Sequence, residues 1–279
     1  MDQAVIIEAN PLAASICASA KAQLRGPCGL ALILVSDDPY AQRMLDLKIK
    51  QAKAVGITSI ERRFDGAANL EQVVTEIERL NRNPAVHGIF VQAPLPDHMN
   101  ASAVFSAIDP AKDVDGYHPL NLGRLALGAV GFVPCAALGG VMLLKNCVGP
   151  LNGKRAVVVG RSNTLGKPVA HLLVRDNCTV TIAHSKTHDL SSILRQADIV
   201  VAAIGQLNFI IGEWIKPGAA VLDMGANLVE GALVGDVEFE SVVKVADFLN
   251  RPTNAVGPMT VALLLAQTVS VAMTGLPLD

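Results

Sequence analysis

Apolar and polar positions along the first third of the chain alternate in blocks of two kinds. Leu30–Val35, LALILV, is an unbroken apolar run stopped by Ser36-Asp37-Asp38-Pro39, the pattern of a buried strand that ends in a turn. Tyr40–Val55 mixes apolar and charged residues at helical spacing, with Tyr40, Met44 and Lys48 one turn apart on a single face, and it ends before Gly56. Ile57–Phe64 predicts a second strand, Leu70–Leu80 a second helix, and Val86–Val91 a third strand that closes at Gln92-Ala93-Pro94-Leu95-Pro96. Three β–α repeats of this kind make a small parallel sheet.

The pattern then changes. Residues 109–124 are dense in Asp, Gly and Pro and predict an irregular loop, and Leu138–Lys145 predicts a helix leading out of the first lobe. Strand–turn–helix alternation resumes at Ala156–Val159, with Gly160 ending the strand and Pro168 in the first turn of the next helix. Cys178–Ala183, Ile199–Ile204 and Ala220–Asp223 continue it as strands and Leu190–Gln196 as a short helix, while a C-terminal helix from Pro258 is expected to return to the first lobe. The expected fold is therefore α/β. It comprises an N-terminal parallel-sheet catalytic lobe, residues 1–137 plus 256–279, and a Rossmann-like nucleotide-binding lobe, residues 138–255, joined by long helices.

Composition narrows the ligands. The 279 residues are 51% hydrophobic with a net charge of −2 and no basic stripe, which points to small molecules and away from nucleic acid or an anionic membrane surface. The apolar run Val256–Met273 is short for a span and is interrupted by Gln267, Thr268 and Ser270, so it reads as a buried helix. Acidic residues and no basic leader at the N-terminus fit a cytoplasmic protein. Five cysteines without C-x-x-C spacing fit buried, reduced thiols, and the histidines lack metal-binding spacing, so no metal is expected.

The turn after Val159 suits a pyrophosphate, because it combines free backbone N–H groups with the positive end of a helix. Gly160 and Gly166 do not make the G-x-G-x-x-G fingerprint, so a merely tight structural turn reads equally well. The next strand ends in His184-Ser185 where an NAD site places a carboxylate. With Arg161 in the turn and Lys186 nearby, NADP is the better reading. Ser162 begins a G-x-S-x-G-like elbow but has Thr164 in place of the second glycine, which makes it a poor nucleophile. Lys48, Gln92 and Asp115 are polar groups that a β–α sheet can converge on one cleft, although each residue type has an ordinary surface or turn role as well.

Ten ordered segments carry a resemblance that covers most of the chain: SDDP with Lys48 one helix on, VQAPLP, KDVDGYHPLNLGRL, Pro134-Cys135, GRSNTLGKPVA, TVTIAHSKT, ADIVVAAIG, WIKPGAAVLDMGAN, GDV and VGPMTVALLL. Together they resemble the bifunctional methylenetetrahydrofolate dehydrogenase/methenyltetrahydrofolate cyclohydrolase family. The resemblance implies NADP as cofactor, a folate substrate and a homodimer. It implies Lys48 as the catalytic lysine, Gln92 as the partner that orients it, and Asp115 as the carboxylate that pairs with the pterin edge. Tyr40, Met44 and Pro258 would lie on the substrate side. Arg161 and Ser185 would hold the 2′-phosphate, with Gly160, Ser162 and Ala226 as further cofactor contacts.

The departures gather on the substrate side. Met44 stands where the family has tyrosine, Ala136-Ala137 follow Pro134-Cys135 where it has Thr-Pro, and Thr253-Asn254-Ala255 replace Pro-Gly-Gly. Two alternatives stay open at this point. One is a paralogue acting on a modified folate or pterin without hydrolysis, and the other is a non-catalytic NADP-binding protein.

Overall fold

A computed structural model describes residues 3–229, 232–251 and 256–278. In chain order the elements are β1 (Val5–Ile7), α1 (Asn10–Gln23), β2 (Gly29–Val35), α2 (Pro39–Val55), β3 (Thr58–Phe64), α3 (Leu70–Arg82) and β4 (Gly88–Val91). Next come α4 (Ala101–Ala107), α5 (Pro119–Ala126), α6 (Cys135–Val148), β5 (Arg155–Val159), α7 (Gly166–Arg175), β6 (Thr179–Ala183), α8 (Leu190–Leu194) and β7 (Ile199–Ala202). The chain ends with β8 (Ala220–Asp223), the hairpin β9 (Asn227–Val229) and β10 (Ala232–Val234), α9 (Phe239–Val242), β11 (Phe248–Asn250) and α10 (Val256–Thr274). Two compact units result: Ala14–Val133 with Val261–Asp279, and Met1–Ala13 with Pro134–Thr260.

The first unit is built on a three-stranded parallel sheet ordered β3-β2-β4. All seven residues of the central β2 are buried, as a parallel strand covered on both faces requires, and each large side chain there contributes roughly 1.5–3 kcal/mol of burial. Asp38 caps α2 by accepting from the Tyr40 and Ala41 N–H groups, Pro39 opens the helix, and Gly56 closes it in the left-handed region. The loop expected over residues 109–124 is corrected: α5 starts inside it, because Pro119 is preorganised for a first helical turn and His118 Nδ1 accepts from the Leu120 N–H. By length and composition α10 could cross a bilayer, yet Val261 through Val269 are all buried.

The second unit carries six parallel strands in the order β1-β11-β8-β7-β5-β6. Counting from β5, the order is 2-1-3-4-5, a doubly wound sheet with its switch point between β5 and β7. The N-terminal segment was expected in the first lobe and belongs here instead, since β1 pairs with β11 along Val5–Ile7. A three-residue strand has too little pattern to declare its partner. The remaining boundaries also move: α6 begins at Cys135, before Leu138, and α10 begins at Val256, before Pro258. Residues 256–260 fall in this unit, so the first lobe's C-terminal contribution begins at Val261.

Candidate active site

Lys48 stands on the wrong face of its helix for an ordinary lysine. The buried stripe of α2 is Leu45, Lys48, Ala52 and Val55, at helical spacing, so the Lys48 stem runs into the interior of the unit. Only 6% of the residue is exposed. Its ammonium donates to Gln92 Oε1 at 2.9 Å and lies 5.2 Å from the centre of the Phe90 ring. Gln92 follows β4 directly, and its N–H continues the ladder to the Ile33 carbonyl. Counted from β2, the strand order is 2-1-3, so β2 and β4 flank this sheet's switch point, where open parallel sheets take their ligands. Burial lowers the Lys48 pKa, and the Asp115 carboxylate acts in the opposite sense.

Asp115 is itself 5% exposed and sits on a loop that other residues hold in shape. Asp113 is the hub. One carboxylate oxygen accepts from the Tyr117 N–H at 3.1 Å, and the other accepts from the His118 N–H and the Asn121 side-chain amide, both at 2.8 Å. Asn121 also donates to the Pro110 carbonyl. Burial pushes the Asp113 carboxyl up to about 6, against those donors. Gly116 adopts φ +76, the left-handed region, and its N–H returns to the Asp113 carbonyl, closing a turn directly after Asp115. From α10, Gln267 donates to the carbonyls of Val114 and Val133. None of these supports stood out in the sequence. The legible signals were an aspartate two residues before Asp115 and a lone amide in an apolar helix.

Met44 and Tyr40 lie one and two turns before Lys48 and are half-buried, with the Arg43 guanidinium 5.9 Å over the Tyr40 ring. Pro258 occupies the first turn of α10 and falls in the other compact unit. Thr253, Asn254 and Ala255 lie outside the described residues.

In the six-stranded unit, β5 and β6 end side by side, with Val159 opposite Ala183 and the Gly160 N–H donating to the Ala183 carbonyl at 2.9 Å. The turn residues Gly160, Arg161 and Ser162 and the pair His184-Ser185 therefore follow neighbouring strand ends. Arg161, Ser162 and Ser185 are exposed. Gly160 has φ +124, and a Cβ there would overlap the Ala203 carbonyl; a Cβ on Gly166 would overlap the Gly160 carbonyl. Both glycines thus allow backbone to approach backbone at the mouth of α7. Ser162 Oγ accepts from the Leu165 and Gly166 N–H groups at 3.2 Å, so it shapes the turn and retains its own proton for donation. The turn, the helix start and an exposed arginine beside an exposed serine suit a dinucleotide with an extra phosphate.

Two buried aspartates hold the adjoining loops. Asp236 accepts from the Ile204, Gly205 and Gln206 N–H groups at 2.7–2.9 Å and from the Asn227 amide at 2.9 Å. Its carboxylate fills the anion-binding nest at the end of β7. Asp223 accepts from the Gly225, Asp236 and Val237 N–H groups, and a Cβ on Gly225 would overlap the Asp236 carboxylate. Ala226 follows on the surface. Among the described residues, no group of three His, Cys, Asp or Glu is arranged to hold a metal ion.

Residues 7–115 match the family model for the tetrahydrofolate dehydrogenase/cyclohydrolase catalytic domain, and residues 134–275 the model for its NAD(P)-binding domain. Bifunctional protein FolD 2 of Paracoccus denitrificans is 51% identical over 255 residues, covering 89% of this chain and 84% of that protein. Among solved structures, the bifunctional FolD enzyme of Campylobacter jejuni superposes with a TM-score of 0.92 at 39% identity, covering 96% of this chain and 98% of that one. The Trypanosoma brucei FolD enzyme, solved with NADP cofactor and an inhibitor, superposes at 0.89 with 38% identity, over 96% and 98% of the two chains. The chain belongs to the tetrahydrofolate dehydrogenase/cyclohydrolase family.

Proposed function

We propose that the protein oxidises 5,10-methylenetetrahydrofolate to the methenyl cation with NADP and hydrolyses that cation to 10-formyltetrahydrofolate. The single observation that carries the reading is the buried Lys48 ammonium held by Gln92 and influenced by Asp115. A helix that fills its core stripe with a lysine gives up burial unless the charge has a task. NADP, when bound, supplies the hydride acceptor. Arg161 and Ser185 hold its 2′-phosphate, while Gly160, Ser162 and Ala226 line its approach.

The chain's own residues divide the remaining work. Asp115 accepts hydrogen bonds from the amino-pyrimidine edge of the pterin, and Met44 and Tyr40 pack beside it, which orients the methylene carbon for hydride loss. Oxidation leaves a cation, and an anionic Asp115 favours its formation. In hydrolysis water adds to the methenyl carbon, a C–N bond opens, and one proton is released overall. Lys48, its pKa lowered by burial, takes the proton from the attacking water. Gln92 holds Nζ in place through both charge states. Family membership further supports a homodimer in the cytoplasm.

Substrate deuterated at both methylene positions tests the first step. The reduced cofactor should carry one deuterium by mass spectrometry, and an unlabelled cofactor would refute direct hydride transfer.

A further inference from the structure

We infer that Phe90 is a positioning residue that holds the charged form of Lys48 against the face of its ring; this rests on the reading of Lys48 as the proton-transfer group. Phe90 and Gln92 are two residues apart at the end of β4, so their side chains leave the strand on the same side. Ile89 and Val91 point the other way, into the core with Ile33 and Val35. Lys48 Nζ thus meets both same-side residues, Gln92 Oε1 at 2.9 Å and the Phe90 ring centre at 5.2 Å. The ring is 4% exposed, so water screens the contact little.

The ring face is electron-rich and attracts an ammonium, not a neutral amine. Gln92 accepts an N–H from either form and does not discriminate strongly. Asp115 is the charged group that acts on Lys48 from outside its helix, and the nearest acid on α2, Asp46, is engaged with Arg63 at 2.6 Å. Burial pulls Lys48 toward the amine, while Asp115 and the Phe90 ring pull toward the ammonium. Phe90 therefore strengthens Lys48 as a base for the proton lost by the attacking water.

The test uses Phe90→Leu, which keeps the apolar bulk, and site-specific replacement of Phe90 by 3,4,5-trifluorophenylalanine, which keeps the ring's shape and weakens its face. The neutral fraction of Lys48 is followed against pH by trace acetylation and peptide mass spectrometry, alongside the pH profile of methenyl hydrolysis. Lys48 should titrate about one pH unit lower in Phe90→Leu and lower, too, with the fluorinated ring, and the acid limb of hydrolysis should move down with it. An unchanged Lys48 titration in both proteins overturns the inference, and the fluorinated protein decides alone if Phe90→Leu does not fold. A Lys48 titration that moves while the hydrolysis limb stays put leaves the ring contact standing and overturns the proton-transfer reading of Lys48.

Discussion

Lys48 Nζ donates to Gln92 Oε1 at 2.9 Å, joining the middle of one helix to the end of a strand 44 residues away. The pair places a buried amine and its neutral acceptor at the carboxyl edge of a parallel sheet. It distinguishes this lysine from the solvated Lys50 and Lys53 elsewhere on α2.

Met44 lies one turn before Lys48, where it offers packing but no hydroxyl. Hydride transfer depends on alignment, whereas hydrolysis depends on proton traffic around Lys48. Met44→Tyr should therefore raise the ratio of cyclohydrolase to dehydrogenase activity, and Tyr40→Phe should lower it where the Tyr40 phenol partly replaces the missing group. A flat ratio in Met44→Tyr would show that Met44 does not limit hydrolysis.

Arg161 and Ser185 follow neighbouring strand ends and are exposed. Arg161→Ala should cost about 1.5–3 kcal/mol of NADP binding and leave NAD binding nearly unchanged, as measured by calorimetric titration with each cofactor. Equal losses would mean that the arginine serves the pyrophosphate or the fold.

The strands that were easiest to read, β2, β5 and β8, carry the apolar runs Leu30–Val35, Ala156–Val159 and Ala220–Leu222 because neighbours and helices bury them on both sides. The three-residue strands β1 and β11 are set by pairing partners far along the chain, which local pattern does not carry, and the hairpin strands β9 and β10 are too short to show a period of their own. α5 was hidden because its first-turn proline and its glycine read as loop residues. Lys48, Gln92 and Asp115 were reached through the resemblance as much as through spacing. Their supports were not, since the value of Asp113 or Asp236 lies in the backbone N–H groups they collect once the loops are folded.

Burial pushes the Asp223 carboxyl up from 3.8 to about 6, and the Asp236 carboxylate adds to the effect. A carboxyl whose folded value is raised binds its proton more readily in the folded chain than in the unfolded one. Its contribution to stability is therefore present at low pH and is lost as pH rises from about 4 to about 6. Asp223→Asn should cost more stability at pH 4.5 than at pH 7, by up to about 2 kcal/mol, in urea unfolding followed by circular dichroism. A cost that is equal, or larger at pH 7, would show that the three N–H donors keep the carboxylate ionised throughout.

The most direct measurement follows methenyltetrahydrofolate by its absorbance, with methylenetetrahydrofolate and either NADP or NAD, in the native protein and in Lys48→Met. With NADP the native protein should form the methenyl species and then clear it faster than buffer does. With NAD, formation should be much slower. Lys48→Met should accumulate the methenyl species, with hydrolysis reduced at least about 100-fold. Absence of NADP-dependent methenyl formation in the native protein, or undiminished clearance in Lys48→Met, would contradict the account.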